Sequence, residues 1–231
     1  MANMHDATEE YLETILEIEE EGVTPIRARI VERLGFSAAA VSEQVNRLVD
    51  QGYAELMGDR SLRLTDTGRK LATSVVRRHR LAERLLVDVI GLEWEKAHRE
   101  ADRWEHAISE EVEDKLVQLL GDPATCPHGN PIPGSKHSPV HAKQDTVLLS
   151  SAPAGRFVVA RISEKIELDD EATIMLAEAA LIPGMEAVVQ RVSPGGVAVL
   201  SASGEHLVPL PVAQLMWVAH DPRPAPAPAP V

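Results

Sequence analysis

The stretch from Thr24 to Thr65 leaves the chain few folds to choose from. Thr24-Pro25 puts a capping residue before a proline at a first helical position, which opens a helix running to Leu34. Gly35-Phe36 then makes a short turn. Ser37 caps a further helix, SAAAVSEQVNRLVDQ, which Gly52 stops. Two short helices joined by a tight glycine turn outline a helix-turn-helix. Tyr53–Leu56 and Ser61–Thr65 alternate polar and apolar residues around Gly58-Asp59, which predicts a β-hairpin, or wing, behind it. Ahead of it, ATEEYLETILEIEE places Leu12, Ile15 and Leu16 at helical spacing with acids on the other face, and Gly22 ends that helix.

Beyond the wing, helices are expected from Thr67 to about Ile90, from Trp94 to His106 and from Ser109 to Leu120. Residues 121–145 are rich in Gly, Pro, Ser and His and read as a linker. The pattern then changes to short β-type runs, RFVVARI, GMEAVVQRV, GVAVLSA and LVPLPV, broken by one helix-like segment over Glu171–Ala180. These imply a small separate β-barrel. The tail PRPAPAPAPV is low-complexity. The fold class is therefore a mainly α N-terminal part, a winged helix-turn-helix plus a helical region, followed by a small all-β domain. The boundaries read as 1–73, 74–140, 145–220 and a Pro/Ala tail at 221–231. Aromatic residues make up only 3% of the chain, so its cores must be built from Leu, Val, Ile and Ala.

A net charge of −13 argues at first against a nucleic-acid partner, but its distribution reverses that. Residues 1–25 hold eight acids and no base, whereas residues 26–80 hold eleven bases against six acids. A basic segment coinciding with a helix-turn-helix fits a phosphate-binding face on double-stranded operator DNA. The blander readings are a solvated helical surface or a winged helix used only for protein contacts. On the reading helix, Ser37, Ala39, Ser42, Glu43 and Arg47 would approach the major groove, where small side chains meet thymine methyl groups and Glu43 could accept from a cytosine amino group. Arg27, Arg29, Arg47 and Arg60 would grip phosphates. No membrane-length apolar run and no signal peptide are visible, and the single cysteine, Cys126, suits a reducing cytoplasm.

His98, Asp102, Glu105 and His106 follow one another at intervals of four, three and one, on one side of a helix. His79 and Glu83 form a second pair four apart on the preceding helix. Facing carboxylate and imidazole pairs on helices are how bundles hold transition metals, but one such pair is more often a surface ion pair. From the residues alone the two readings stay about even.

The stretch HRLAERLLVDVIGL through WEKAHREADRWEHAISEEVEDKL to HGNPIPG resembles the diphtheria toxin repressor and manganese transport regulator family, as do EEEGVTPIRARIVERLGFSAAAVSEQVNRL and DRSLRLTDTGRKLA. The likeness runs continuously over about residues 5–135 and more loosely beyond. It implies a homodimer, one or two dimers to an operator, with winged-helix DNA-binding domains, a helical metal-binding and dimerisation region, and an SH3-like C-terminal domain. It further implies two metal sites per subunit. The primary site would be Glu10, Asp102, Glu105 and His106. The ancillary site would be His79, Glu83 and His98, with Asp169 from the C-terminal domain. Iron-responsive members carry Met and Cys at the positions of Glu10 and Asp102. An all-oxygen and nitrogen set suits Mn(II), with Fe(II) the alternative. The other ancillary ligand of the family falls at Ala172, which cannot coordinate, and Asp170 or Glu171 could take its place.

The function expected is thus a metal-dependent transcriptional repressor controlling metal-uptake or homeostasis genes, and not an enzyme. A helical-bundle metal hydrolase would need an open coordination position and a general base, and no hydrolase motif is present. A metal-independent winged-helix regulator is the other competitor. Cys126 and His128 in CPHGNP read as a structural turn rather than a zinc pair. His5, His137 and His141 read as solvated, and Trp94, Trp104 and Trp217 as packing residues.

Overall fold

A computed structural model describes residues 4–137 and 146–220, with side chains described from Ala7 onward. The elements are α1 (Met4–Glu20), α2 (Arg27–Leu34), α3 (Ala38–Asp50), β1 (Ala54–Leu56), β2 (Leu62–Leu64), α4 (Asp66–Arg84), α5 (Ala97–Trp104) and α6 (Glu110–Leu120). There follow β3 (Thr146–Leu148), β4 (Gly155–Ile162), α7 (Glu164–Glu167), α8 (Asp170–Glu178), β5 (Glu186–Ser193), β6 (Gly196–Ser201), β7 (Gly204–Pro209), α9 (Leu210–Ala213) and β8 (Met216–His220). The chain divides into two compact units, one of residues 1–79 with 102–113, the other of residues 80–101 with 114–231.

The first unit has one apolar core. Leu12, Ile15 and Ile18 of α1, Ile30 of α2, Val41, Val45 and Leu48 of α3, Leu62 and Leu64 of β2, and Val76 of α4 are all buried in it. Each such aliphatic side chain contributes about 1.5–3 kcal/mol by leaving water. The helix-turn-helix forms as its sequence implies. Gly35 closes α2 in the left-handed region at φ 69°, and the Ser37 hydroxyl accepts from the Ala40 amide to cap α3. The start of α2 differs from expectation: its cap is Ile26, without a side-chain bond, and not Thr24. Pro25 and Ile26 are instead extended against the wing, with an isolated bridge from Ile26 to Ser61 and a bond from the Leu62 amide to the Pro25 carbonyl. Pairing with β2 outcompetes the local capping signal.

The wing is a two-stranded antiparallel hairpin in the register Ala54↔Leu64, Glu55↔Arg63, Leu56↔Leu62. Its tip carries Arg60 at φ 69°, a left-handed conformation that a side chain with a Cβ adopts at a cost. Where the wing joins α4, the Thr65 hydroxyl donates to the Gly52 carbonyl and accepts from the Gly68 amide. A Cβ at Gly68 would lie 1.9 Å from the Tyr53 carbonyl oxygen, so only glycine fits there.

In the second unit the C-terminal domain is a six-stranded antiparallel sheet in the order β3-β8-β4-β5-β6-β7, of SH3-like type. Phe157, Val159 and Ile162 of β4, Val189 of β5, Val197 and Val199 of β6, Val208 of β7 and Val218 of β8 form its core with Leu149, Leu176 of α8 and Trp94. Strands β3 and β8 are additional to those expected, and LVPLPV turns from strand into the short α9 after Pro209. The helix expected to reach Ile90 ends at Arg84 and gives way to a π-helical turn over Leu85–Ile90. Similarly, the helix expected over Trp94–His106 is a 3-10 turn at Trp94–Lys96 followed by α5, so Glu105 and His106 lie just past its end. The tail 221–231 lies outside the described residues, as does His141; the side chain of His5 is likewise outside the description.

Candidate metal centres and nucleic-acid interface

In the first unit α1, α4 and the end of α5 bring seven titratable side chains together. From α4, His79 Nδ1 stands 2.6 Å from Glu105 Oε2 and 3.5 Å from Asp102 Oδ1. Glu13, His79 and Glu105 each offer a donor atom within 4.8 Å of the others, and all three are buried. His106 Nδ1 lies 2.7 Å from Glu9 Oε2, and its Nε2 lies 3.3 Å from Glu105 Oε1. Glu10 faces the same group. Burial, then the charges of Asp102 and Glu105, raises its carboxyl above the ordinary range, while His106 opposes them. Glu13 is raised well above that range by burial first, then by Glu105 and Glu17, with His79 opposing.

Five carboxylates therefore crowd against two imidazoles and Arg78, whose Nη2 is 3.6 Å from Glu9 Oε1. Burying so much like charge is expensive unless a cation compensates it. The donor set is oxygen and nitrogen only. It fits a hard divalent ion. Glu10, Asp102, Glu105 and His106 lie in one group, and Glu9, Glu13 and His79 lie with them, His79 beside Glu105 and Asp102.

The second unit holds another buried cluster. Glu83, His98 and Glu167 form one triad with donor atoms within 4.8 Å, and Glu83, Cys126 and His128 form another. His98 Nδ1 is 3.2 Å from Glu167 Oε2, 3.7 Å from Glu83 Oε1 and 3.9 Å from Glu164 Oε2. His128 Nδ1 is 2.9 Å from both Glu83 Oε1 and Glu167 Oε2. Arg80, only 1% exposed, donates to Glu164 at 3.0 Å and to the Pro131 carbonyl at 2.6 Å. Burial, then Glu164, pushes the Glu167 carboxyl up to about 7. Burial opposes charge on His128, yet Glu167 and Glu83 outweigh it and hold the imidazole well above its usual range. Burial, then Glu83, pushes the Cys126 thiol up to about 12, so a metal would have to displace its proton.

Asp169 does not serve this cluster. Its Oδ1 accepts from the amides of Glu171 and Ala172, both at 3.1 Å, capping α8. The carboxylates that reach His98 from the C-terminal domain are Glu164 and Glu167, on the short α7. Asp170 is held by Arg99. The CPHGN segment is a structural turn, with the Cys126 amide bonded to the Asn130 carbonyl at 2.8 Å. It also delivers His128 and Cys126 into the cluster, which the turn reading alone did not include.

On α3, Ser37, Ala38, Ala39, Glu43 and Arg47 are exposed and Ser42 is half-buried, while Val41, Val45 and Leu48 face inward. Glu43 and Arg47 pair across one turn at 2.5 Å. Arg27 donates to Asn46 Oδ1 at 2.8 Å, Arg29 donates to the Thr24 carbonyl, and Arg60 is exposed at the wing tip.

Family sequence models match both parts of this arrangement. That of the iron-dependent repressor N-terminal DNA-binding domain covers residues 3–62, and that of the iron-dependent repressor metal-binding and dimerisation domain covers residues 65–134. The chain belongs to the iron-dependent repressor family. It is 46% identical over 215 residues to the iron-dependent repressor IdeR of Mycobacterium tuberculosis, across 90% of this chain and 94% of that protein. It is 58% identical over 134 residues to the diphtheria toxin repressor of Corynebacterium diphtheriae, across 58% of this chain and 59% of that one. Among solved structures, a manganese-dependent transcriptional repressor in complex with manganese is 32% identical with a TM-score of 0.78, covering 92% and 99% of the two chains. IdeR of T. acidophilum is 29% identical with a TM-score of 0.74, covering 96% and 99%.

As an iron-dependent repressor family member, the chain is a metal-dependent transcriptional repressor that acts on operator DNA as a homodimer, and it is not an enzyme. Among the described residues, no helix of this repressor is long and apolar enough to cross a membrane.

Proposed function

We propose that this repressor is activated by Mn(II), binds two metal ions per subunit, and controls metal-uptake or homeostasis genes. One observation carries the choice of ion. Glu10, Glu13, His79, Asp102, Glu105 and His106 surround the first centre without a sulfur atom among them. Carboxylate and imidazole donors favour a hard ion, which binds weakly and gains from accumulated negative charge. When bound, the ion supplies the positive charge that this carboxylate cluster lacks. The second centre would draw on Glu83, His98, Glu164 and Glu167, with Cys126 and His128 at its edge.

Ser37, Ala39, Ser42 and Glu43 would meet base edges, with Arg27, Arg29, Arg47 and Arg60 on phosphates, within a DNA-reading domain of residues 1–73. Residues 74–140 would serve metal binding and dimerisation, and residues 145–220 the SH3-like domain. Iron(II) is the second reading, favoured by the names of the mycobacterial and corynebacterial relatives.

Operator binding titrated separately with Mn²⁺ and with anaerobic Fe²⁺ decides between them. Activation by Mn²⁺ at lower free concentration is expected. Activation by Fe²⁺ with Mn²⁺ ineffective would reverse the assignment. Glu10→Ala should abolish metal-dependent operator binding while leaving the dimer folded. Normal mobility shifts by that variant at low micromolar metal would remove Glu10 from the centre.

A further inference from the structure

Glu9, Glu13 and Glu17 recur every fourth residue on α1 and so follow one another along that helix, and Glu21 continues the spacing in the turn just past its end. The stripe begins at the first metal centre, where Glu9 meets His106. It ends at the helix-turn-helix. Arg33 of α2 donates to Glu21 at 2.7 Å and stands 3.7 Å from Glu17. The guanidinium is nearly buried, with a side-chain exposure of 6%, and its Nη1, the atom facing Glu17, makes no hydrogen bond. Glu17 also acts on Glu13, being among the charges that raise its carboxyl. Glu17 thus lies one turn from Glu13 of the centre and beside Arg33 of the DNA-reading element.

We infer that Arg33, acting through Glu17, is the positioning residue that transmits occupancy of the first metal centre to the helix-turn-helix. The apolar contacts between α1 and the helix-turn-helix hold the same groups together whether or not an ion is present. A row of carboxylates does not behave so. A cation held by Glu13 fixes that side chain and the turn of α1 that carries Glu17, and Glu17 can then complete the half-made pair with Arg33. That pair ties α2, and α3 with it, to the helix that carries Glu10 and Glu13. An ion that favours the DNA-competent arrangement tightens operator binding, and the operator tightens ion binding by the same factor. This inference rests on the proposed metal-dependent operator binding.

The test measures operator affinity with and without saturating Mn²⁺, and Mn²⁺ affinity by calorimetry, for the full-length wild type, Arg33→Met and Glu17→Gln. Hydrogen exchange of the α2 amides is followed alongside. In wild type the metal should tighten operator binding by about 5–150-fold, the usual span of such coupling. Both variants should bind Mn²⁺ within about threefold of wild type in the absence of DNA, yet lose most of that coupling factor. Metal should also no longer protect their α2 amides. An unchanged factor in Glu17→Gln overturns the inference, and so does an equal loss of operator affinity with and without metal, which marks a merely structural pair. If Arg33→Met fails to fold, the isosteric Glu17→Gln decides alone. A wild type that ignores metal refutes the functional reading itself, a result distinct from either variant outcome.

Discussion

Glu13 has Glu17 one turn on, Glu105 opposite and the His79 imidazole beside it. Its folded-state pKa lies above its unfolded value, so the native state holds the proton more tightly. The linkage then has a definite sign: between the ordinary carboxylate range and the raised value, metal-free stability falls as pH rises. Glu13→Gln removes this penalty. It should stabilise the metal-free protein at pH 7.5. The advantage over wild type should shrink as pH falls and vanish only below the ordinary carboxylate range, where the wild-type carboxyl is protonated in both states. The same variant should weaken Mn²⁺ binding at least tenfold, and calorimetry with thermal melts across pH checks both halves. The site was only partly legible in the sequence. The 98–106 spacing made Asp102, Glu105 and His106 stand out, but Glu13 is one of eight acids in the first 25 residues and looks like part of a solvated face. Nothing in the sequence shows that the described α1 side chains are buried as far as Ile18 on nearly every face.

At the scale of elements, hydrophobic periodicity foretold the winged helix-turn-helix because α3 and the wing each bury one face in the core that Leu12, Ile15 and Ile18 of α1 share. Local signals failed where tertiary pairing overrode them, as at Thr24-Pro25. They also failed where an element was too short to have a period, as in α7. Four residues cannot show a helical stripe, so nothing in the sequence makes Glu164 and Glu167 stand out from Asp169 beside the longer α8. Two substitutions separate the stability of the wing from its role on DNA. Arg60→Gly relieves the left-handed strain at the tip and should leave the stability unchanged or raise it by up to about 1 kcal/mol, as thermal melts will show. It should nevertheless weaken operator binding and reduce the salt dependence by about one phosphate contact, as anisotropy titrations at several salt concentrations will report. Gly68→Ala drives a Cβ into the Tyr53 carbonyl and should cost at least about 2–3 kcal/mol in a urea titration.

For the molecule as a whole, metal and fold are linked quantities. Mn²⁺ at about a hundred times its dissociation constant should add roughly 2.7 kcal/mol per site, provided the unfolded chain does not bind it. A melting temperature indifferent to Mn²⁺ and to chelation would contradict both centres. Within a chain of net charge −13 the basic segment attracts a polyanion that the rest of the molecule on balance repels, so operator association should slow steeply as salt rises. One feature of the second unit reaches further than its size suggests. Gly129, at φ 87°, lies so close to β4 that a Cβ there would sit 2.2 Å from the Ala160 carbonyl oxygen, and the neighbouring His128 carbonyl accepts the Ile162 amide at 3.0 Å. A larger residue at 129 would prise the turn off the strand and drag the His128 imidazole out of register with Glu83. A genetic screen for metal-blind repressors ought therefore to recover lesions at a position that carries no donor atom at all.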